Sequence, residues 1–337
     1  MRNAQGVCQG PAVKIPSGTR SRAFARSRFI SATAALLVAF SFAQHNPSFA
    51  DKKVTSEPAA DNSHRSARLR EATFHSSSLN RDMRYRVILP AGYDSSKTRY
   101  PALFLLHGLY GDFMNWSTLT SLVDDVRDMN LIIAMPDAGN SWYVNSVSNP
   151  DDKFEDYIVK DFVEEIDTHY RTLPEGNARA IAGLSMGGYA AVKFSLKYPQ
   201  LFSHVGGISA ALDASADLDQ RRVDFREGLQ KVFGEPGNPA RAQNDVFILL
   251  SHTDARKLPQ YYLDCGADDM FVGVNRRFAA RLQELGISYE FHVMPGDHTW
   301  KYWDRAIERF LSALSRTAFI GRPAGSRSLH STVPAAP

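Results

Sequence analysis

Cysteine is nearly absent: the 337 residues hold Cys8 and Cys265 and no others. Cys8 falls in a segment with the marks of a cleaved leader, which leaves Cys265 alone. No internal disulfide can then form, even in an oxidising compartment, so the mature domain must be held by its core. Acidic residues are missing from positions 1–50, where six basic ones stand (Arg2, Lys14, Arg20, Arg22, Arg26, Arg28). The formal net charge of +3 less those six leaves −3 on the remainder. The basic character therefore belongs to the N-terminal segment and does not argue for a nucleic-acid partner. No G-x-G-x-x-G opens the first strand–helix unit, and no group of His, Cys, Asp and Glu has metal-ligand spacing. Neither a cofactor nor a metal is expected.

What the N-terminus does hold is the pattern of an export signal. Arg22, Arg26 and Arg28 precede the apolar run FISATAALLVAFSFA (29–43), and Ser48-Phe49-Ala50 offers small residues at the positions a signal peptidase reads. About 15 apolar residues fall short of the ~20 a membrane span needs. A signal peptide over 1–50 is expected, with cleavage after Ala43 as the alternative, and no membrane insertion once it is removed. The protein would be periplasmic or secreted. Residues 51–70 are polar and read as a loose leader, and 317–337, rich in Ser, Ala, Gly and Pro, as a disordered tail.

Between them lies a chain with the usual balance for a soluble globular protein, 44% hydrophobic and 22% charged over the whole sequence. Strands are predicted at 71–77, 83–89, 100–107, 131–135, 180–184, 204–208, 260–265 and 289–294. Helices are predicted at 118–128, 154–170, 189–197, 272–285 and 300–314, with further pieces near 219–232 and 239–251. Several strands are apolar throughout, as strands buried on both faces are. Strands alternating with helices imply an α/β fold with a mostly parallel central sheet and helices on both faces. One domain, 71–316, is expected, with the irregular stretch 209–259 as a cover inserted over the site.

The organising motif is AIAGLSMGGYAA (180–191). Its G-x-S-x-G core follows an apolar strand and precedes a helix, the context of a nucleophile elbow centred on Ser185. Glycine is required two positions either side because the turn brings those backbones together. On an open parallel sheet, partner groups lie beyond other strand ends. Gly266-Ala267-Asp268-Asp269 follows one strand and supplies an acid. Asp269 is favoured, because Asp268 can cap the next helix. His298 follows the last strand and supplies a base. The order Ser185, Asp269, His298 suits this fold, and the oxyanion donors would be the backbone N–H groups of Met186 and Leu109. His107 reads as a residue shaping the Leu109 loop.

These motifs identify a resemblance. RDMRYRVILPAGYD (81–94), LLHGLYGD (105–112), PDAGNSWYVNS (136–146), FEDYIVKDFVEEIDTHYRT (154–172), GLSMGG, DCGADDMF (264–271) and GDHTWKYW (296–303) resemble the esterase D family. That family includes S-formylglutathione hydrolases, tributyrin-type, feruloyl and acetyl-xylan esterases, and mycolyltransferases. The resemblance spans roughly 70–315. It implies an α/β-hydrolase fold and hydrolysis of a small-molecule or sugar-linked ester. It carries over Ser185, Asp269 and His298 as catalytic residues, Leu109 and Met186 as oxyanion donors, and Trp142 and Tyr143 as lining of the substrate cleft.

Overall fold

The computed structural model describes residues 68–216 and 223–320. The signal segment, nearly all of the polar leader and positions 321–337 lie outside the described residues. Eight strands form one sheet: β1 (Leu69–Ser76), β2 (Arg81–Ile88), β3 (Ala102–Leu106), β4 (Ile132–Pro136), β5 (Arg179–Leu184), β6 (His204–Ile208), β7 (Gln260–Gly266) and β8 (Tyr289–Met294). Their order is β1-β2-β4-β3-β5-β6-β7-β8. β2 runs antiparallel to both β1 and β4, and the remaining pairs are parallel.

The helices are α1 (Asn115–Leu119), α2 (Leu122–Asp125), α3 (154–169), α4 (Met186–Lys197), α5 (Val223–Phe233), α6 (Pro239–Gln243), α7 (Val246–His252), α8 (Val272–Glu284) and α9 (Trp300–Ser315). The period-2 pleat divides the apolar strands between two cores. Phe104, Leu106, Ala134 and Ile181 face one core, with α3, α4 and α8. Leu103, Leu105, Ile133, Ala180 and Ala182 face the other, with α9 and the short helices α1 and α2. Burial on both faces explains why these strands read as unbroken apolar runs.

The helix expected over 118–128 is two short pieces. Thr120 is extended between them (φ −136°, ψ 170°), and the Ser121 N–H is taken by Asp304 Oδ1 at 2.7 Å. The helix expected over 239–251 is also split. Asp245 starts a new helix by accepting from the N–H groups of Phe247 (2.8 Å) and Ile248 (3.2 Å). The run over 154–169 is continuous, but its middle turn, Tyr157–Phe162, is π-helical. Ordered chain also reaches past both expected limits. β1 begins at Leu69, and Phe319 and Ile320, inside the stretch read as tail, are buried against the α9 core.

Candidate active site

β5 ends in a turn that only small residues permit. A Cβ on Gly183 would lie 2.5 Å from the Gly187 carbonyl carbon, and one on Gly187 would lie 2.5 Å from the His107 carbonyl oxygen. Between them Ser185 takes a left-handed φ of 52° (ψ −113°) and stands just before α4. A non-glycine residue there is strained, and the flanking packing holds it.

Three side chains from distant parts of the chain meet at this turn. His298 Nε2 is 3.0 Å from Ser185 Oγ, and His298 Nδ1 is 2.9 Å from Asp269 Oδ2. The carboxylate can only accept at Nδ1, so that nitrogen carries the proton and Nε2 is free to accept from the serine hydroxyl. Asp269 Oδ1 accepts from the Phe271 N–H at 2.8 Å. Burial would raise the Asp269 pKa, but hydrogen bonds from His298, the Phe271 N–H and Ser209 outweigh it and hold the carboxyl below its usual range. Asp269, not Asp268, meets the histidine. Asp268 is exposed and does not cap α8, which has no side-chain cap. The imidazole is wedged between Phe271 and Trp303, ring centroids 5.2 and 4.9 Å away. Trp303 Nε1–H donates to Ser209 Oγ at 3.1 Å, fixing the end of β6 to α9.

On the opposite side of Ser185, the loop after β3 carries Leu109. The Gly108 carbonyl, in the same peptide unit as the Leu109 N–H, accepts from His107 Nδ1 at 2.8 Å and from the Gly111 N–H at 3.1 Å. A trans peptide points its C=O and N–H in opposite directions, so holding that oxygen aims the Leu109 N–H. His107 Nε2 accepts from the Ala138 N–H at 3.0 Å, which leaves Nδ1 as the protonated nitrogen. Burial pushes the His107 pKa down and keeps the ring neutral. Among the described residues, neither the Leu109 nor the Met186 N–H is taken by a backbone carbonyl in turns or loops. Met186 lies in the first turn of α4, where N–H groups have no helical partner.

Tyr143 corrects one expectation. It is fully buried, and its hydroxyl donates to the His107 carbonyl at 3.1 Å, so it cannot line a cleft. Trp142, 3% exposed, packs edge-on against Tyr189 and against Phe233. Both residues are left-handed (φ 54° each), which turns their rings inward. The residue that holds them was not singled out by the sequence reading. Lys193, wholly buried on α4, reaches the Tyr143 carbonyl at 2.6 Å and Glu155 Oε2 at 2.9 Å. Lys197 and Tyr198 also meet Glu155, at 2.5 and 2.7 Å. A lysine in the otherwise apolar run after the elbow was the available signal. No group of three or more His, Cys, Asp or Glu among the described residues could hold a metal ion, and no helix among them is long and apolar enough to cross a membrane.

Comparison with known proteins gives the chain its relatives. Residues 76–314 match the family model described as putative esterase. An acetyl esterase of Caldicellulosiruptor saccharolyticus is 25% identical over 262 residues, covering 74% of this chain and 98% of that protein. Esterase Rv1288 of Mycobacterium tuberculosis is 31% identical over 255 residues, covering 68% of this chain and 55% of that protein. Among solved structures, the fluorophosphonate-binding serine hydrolase FphF of Staphylococcus aureus superposes with a TM-score of 0.66 at 26% identity. That match covers 73% of this chain and 97% of FphF.

Proposed function

The chain belongs to the putative-esterase family and is a carboxylic ester hydrolase of α/β-hydrolase fold, and from that premise we propose that it is an exported serine carboxylesterase cleaving short-chain acyl or aromatic esters through an acyl-enzyme on Ser185. The observation that carries this is the pair of contacts at His298, 3.0 Å to Ser185 Oγ and 2.9 Å to Asp269 Oδ2. Ser185 Oγ attacks the ester carbonyl as its proton passes to His298 Nε2. Asp269 holds the ring's tautomer and stabilises the imidazolium. The developing oxyanion is met by the N–H groups of Leu109 and Met186, each worth on the order of 3 kcal/mol of barrier. The intermediate collapses, the alcohol leaves with the proton from Nε2, and the acyl group stays on Ser185. Water deprotonated by His298 then attacks the acyl carbonyl and releases the acid.

The acetyl esterase among the relatives supports a small acyl group. The export reading is supported by the Arg22–Arg28 cluster and the apolar run behind it. The test is turnover of p-nitrophenyl acetate. Ser185→Ala is expected to fold as before and to lower kcat by roughly 10⁴-fold or more, and the unsubstituted protein is expected to give free acid as its product even when a sugar acceptor is added. Undiminished turnover in that variant would overturn the assignment.

A further inference from the structure

Asp264 is a wholly buried carboxylate with no part in the reaction just described. It stands on β7, the strand that leads to the acid Asp269. Arg309 of α9 grips it with two arms of the guanidinium, Nε to Oδ2 at 2.8 Å and Nη2 to Oδ1 at 2.9 Å. That pairing is enough to make a buried charge tolerable. Two hydroxyls are added to it. Tyr262 donates to Oδ2 at 3.2 Å, and Tyr302 donates to Oδ1. Tyr262 lies on β7 itself. Tyr302 lies in the first turn of α9, the helix that follows His298, so its bond joins the strand of the acid to the helix of the base.

The acid turn and the base loop also meet along a seam. The Ala267 N–H donates to the Met294 carbonyl at 2.8 Å, and the Asp268 N–H to the Gly296 carbonyl at 2.9 Å. The next side chain, Asp269, then reaches His298. Gly296 is the tight point of the seam. A Cβ on Gly266 would lie 2.3 Å from the Gly296 carbonyl oxygen, and a Cβ on Gly296 would lie 2.5 Å from Tyr302 Cδ2. Gly296 thus touches the end of β7 through its carbonyl and the Tyr302 ring through its α-carbon. Its φ of 143° belongs to glycine alone.

These contacts close a circuit. It runs from Asp264 along β7 to Asp269, across to His298, and through Tyr302 back to Asp264. The Tyr302 ring backs the base loop at one edge and is fastened at its far end by the hydroxyl. A ring held only by packing could yield. A ring tied to a carboxylate that Arg309 also holds cannot move without breaking that bond.

We propose that Tyr302, anchored on Asp264, is a positioning residue that holds the His298 loop at the separation from Asp269 and Ser185 that proton transfer needs. The proposal rests on the serine-esterase reading and adds to it a device remote from the reacting atoms. Two variants separate positioning from plain stability. Tyr302→Phe and Tyr262→Phe each remove one hydroxyl from the same carboxylate, and each carboxylate oxygen keeps an Arg309 N–H. Their thermal midpoints should fall by similar amounts. Only Tyr302 touches the base loop. Tyr302→Phe is therefore expected to lower kcat for p-nitrophenyl acetate about tenfold at constant KM, because a misplacement of about 1 Å can cost up to about 10²-fold. Tyr262→Phe should stay within about twofold of the unsubstituted protein in both constants. The downfield proton NMR resonance of His298 Nδ1–H, which reads the bond to Asp269 and needs no substrate, should shift upfield or broaden in Tyr302→Phe and stay in place in Tyr262→Phe. Equal loss of kcat in the two variants, a Tyr302→Phe enzyme within about twofold of the unsubstituted one, or an unmoved resonance in Tyr302→Phe would overturn the proposal and leave the esterase reading intact. If the unsubstituted protein failed to cleave the ester, the esterase reading would fall, and the resonance would still decide whether Tyr302 positions His298.

Discussion

His107 offers a way to separate holding the fold from aiming a catalytic dipole. Its two ring nitrogens do different work: Nδ1–H holds the Gly108 carbonyl at 2.8 Å, and Nε2 accepts from the Ala138 N–H at 3.0 Å. An asparagine amide at this position places its nitrogen near Nδ1, and a glutamine amide places its oxygen near Nε2. His107→Asn therefore keeps the Gly108 bond and loses the Ala138 bond, and His107→Gln does the reverse. His107→Asn leaves the buried Ala138 N–H unmatched, at a cost of about 1–3 kcal/mol, whereas in His107→Gln the Gly108 oxygen keeps the Gly111 N–H and less is lost. His107→Asn should therefore lose more in thermal midpoint, at about 2–4 °C per kcal/mol for a domain of this size.

Activity should not follow stability. Losing the imidazole bond lets the Gly108–Leu109 peptide rotate and swings the Leu109 N–H away from the oxyanion. Removing one such donor costs 10²–10³-fold in kcat. The Gly111 N–H still holds the Gly108 oxygen at 3.1 Å, so the lower end, about 10²-fold, is expected for His107→Gln. His107→Asn should stay within several-fold of the unsubstituted enzyme. KM should change little in either, because the interaction belongs to the transition state. The assay is steady-state hydrolysis of p-nitrophenyl acetate beside a thermal melt of the same samples. Equal loss of kcat in both variants, or an active His107→Gln enzyme, would refute the idea that the imidazole aims this N–H.

Two further outcomes follow from the buried polar contacts. Trp303→Phe keeps a ring against His298 but removes the donor to Ser209, and Ser209→Ala removes that acceptor together with its hydrogen bond to Asp269, so both should lower kcat at constant KM, Ser209→Ala the more. The double variant should be little worse than Ser209→Ala alone, with a coupling of about 1 kcal/mol, and strict additivity would exclude a shared role. Glu155 concerns acid stability. Burial alone would raise its pKa, but Lys193 and Lys197 outweigh burial and bring it from 4.5 down to about 2. A carboxyl depressed in the folded state contributes stability above its unfolded pKa and loses it as pH falls from about 4.5 to about 2, on the order of 3 kcal/mol in all. Urea melts should thus show Glu155→Gln well below the unsubstituted protein at pH 7, with the gap closing by pH 2–3. A gap that does not change with pH would argue against the ion pair.

What the sequence revealed divides along a physical line. Ser185 was legible because the elbow leaves a local pattern: a Cβ on Gly183 would meet the Gly187 backbone within the turn itself, although Gly187 is demanded by the distant Leu106 and His107 backbone. The inner strands were legible because burial on both faces leaves no polar position to confuse the period. Asp269 over Asp268 was only favoured. Adjacent aspartates are equivalent on paper, and the choice depends on which side chain the turn before α8 directs at a histidine 29 residues away. The helix breaks at Thr120 and Asp245 were missed for a related reason. Each break is chosen by a side-chain oxygen, from Asp304 in one case and Asp245 itself in the other, that competes with the helical hydrogen bond.

Trp142 and Tyr143 show the limit from the other direction. In sequence they sit in a loop among Gly, Asn and Ser, where aromatic residues invite a role in a cleft. Their consecutive left-handed conformations are unfavourable alone, and nothing nearby in the sequence announces them. They are stabilised from 50 residues away by Lys193 at the Tyr143 carbonyl and from 36 residues away by the His107 carbonyl at the Tyr143 hydroxyl. Lys193 is itself tolerable in the core only because Glu155, 38 residues distant, meets it. The same His107 carbonyl lies where a Cβ on Gly187 would intrude. The strand end that carries Leu109 is thus clamped between the elbow glycine and the aromatic loop. A resemblance can carry residue roles onto such a loop by position. That both rings turn inward, Tyr143 against the strand end that carries Leu109, is decided by contacts between segments that no local pattern contains.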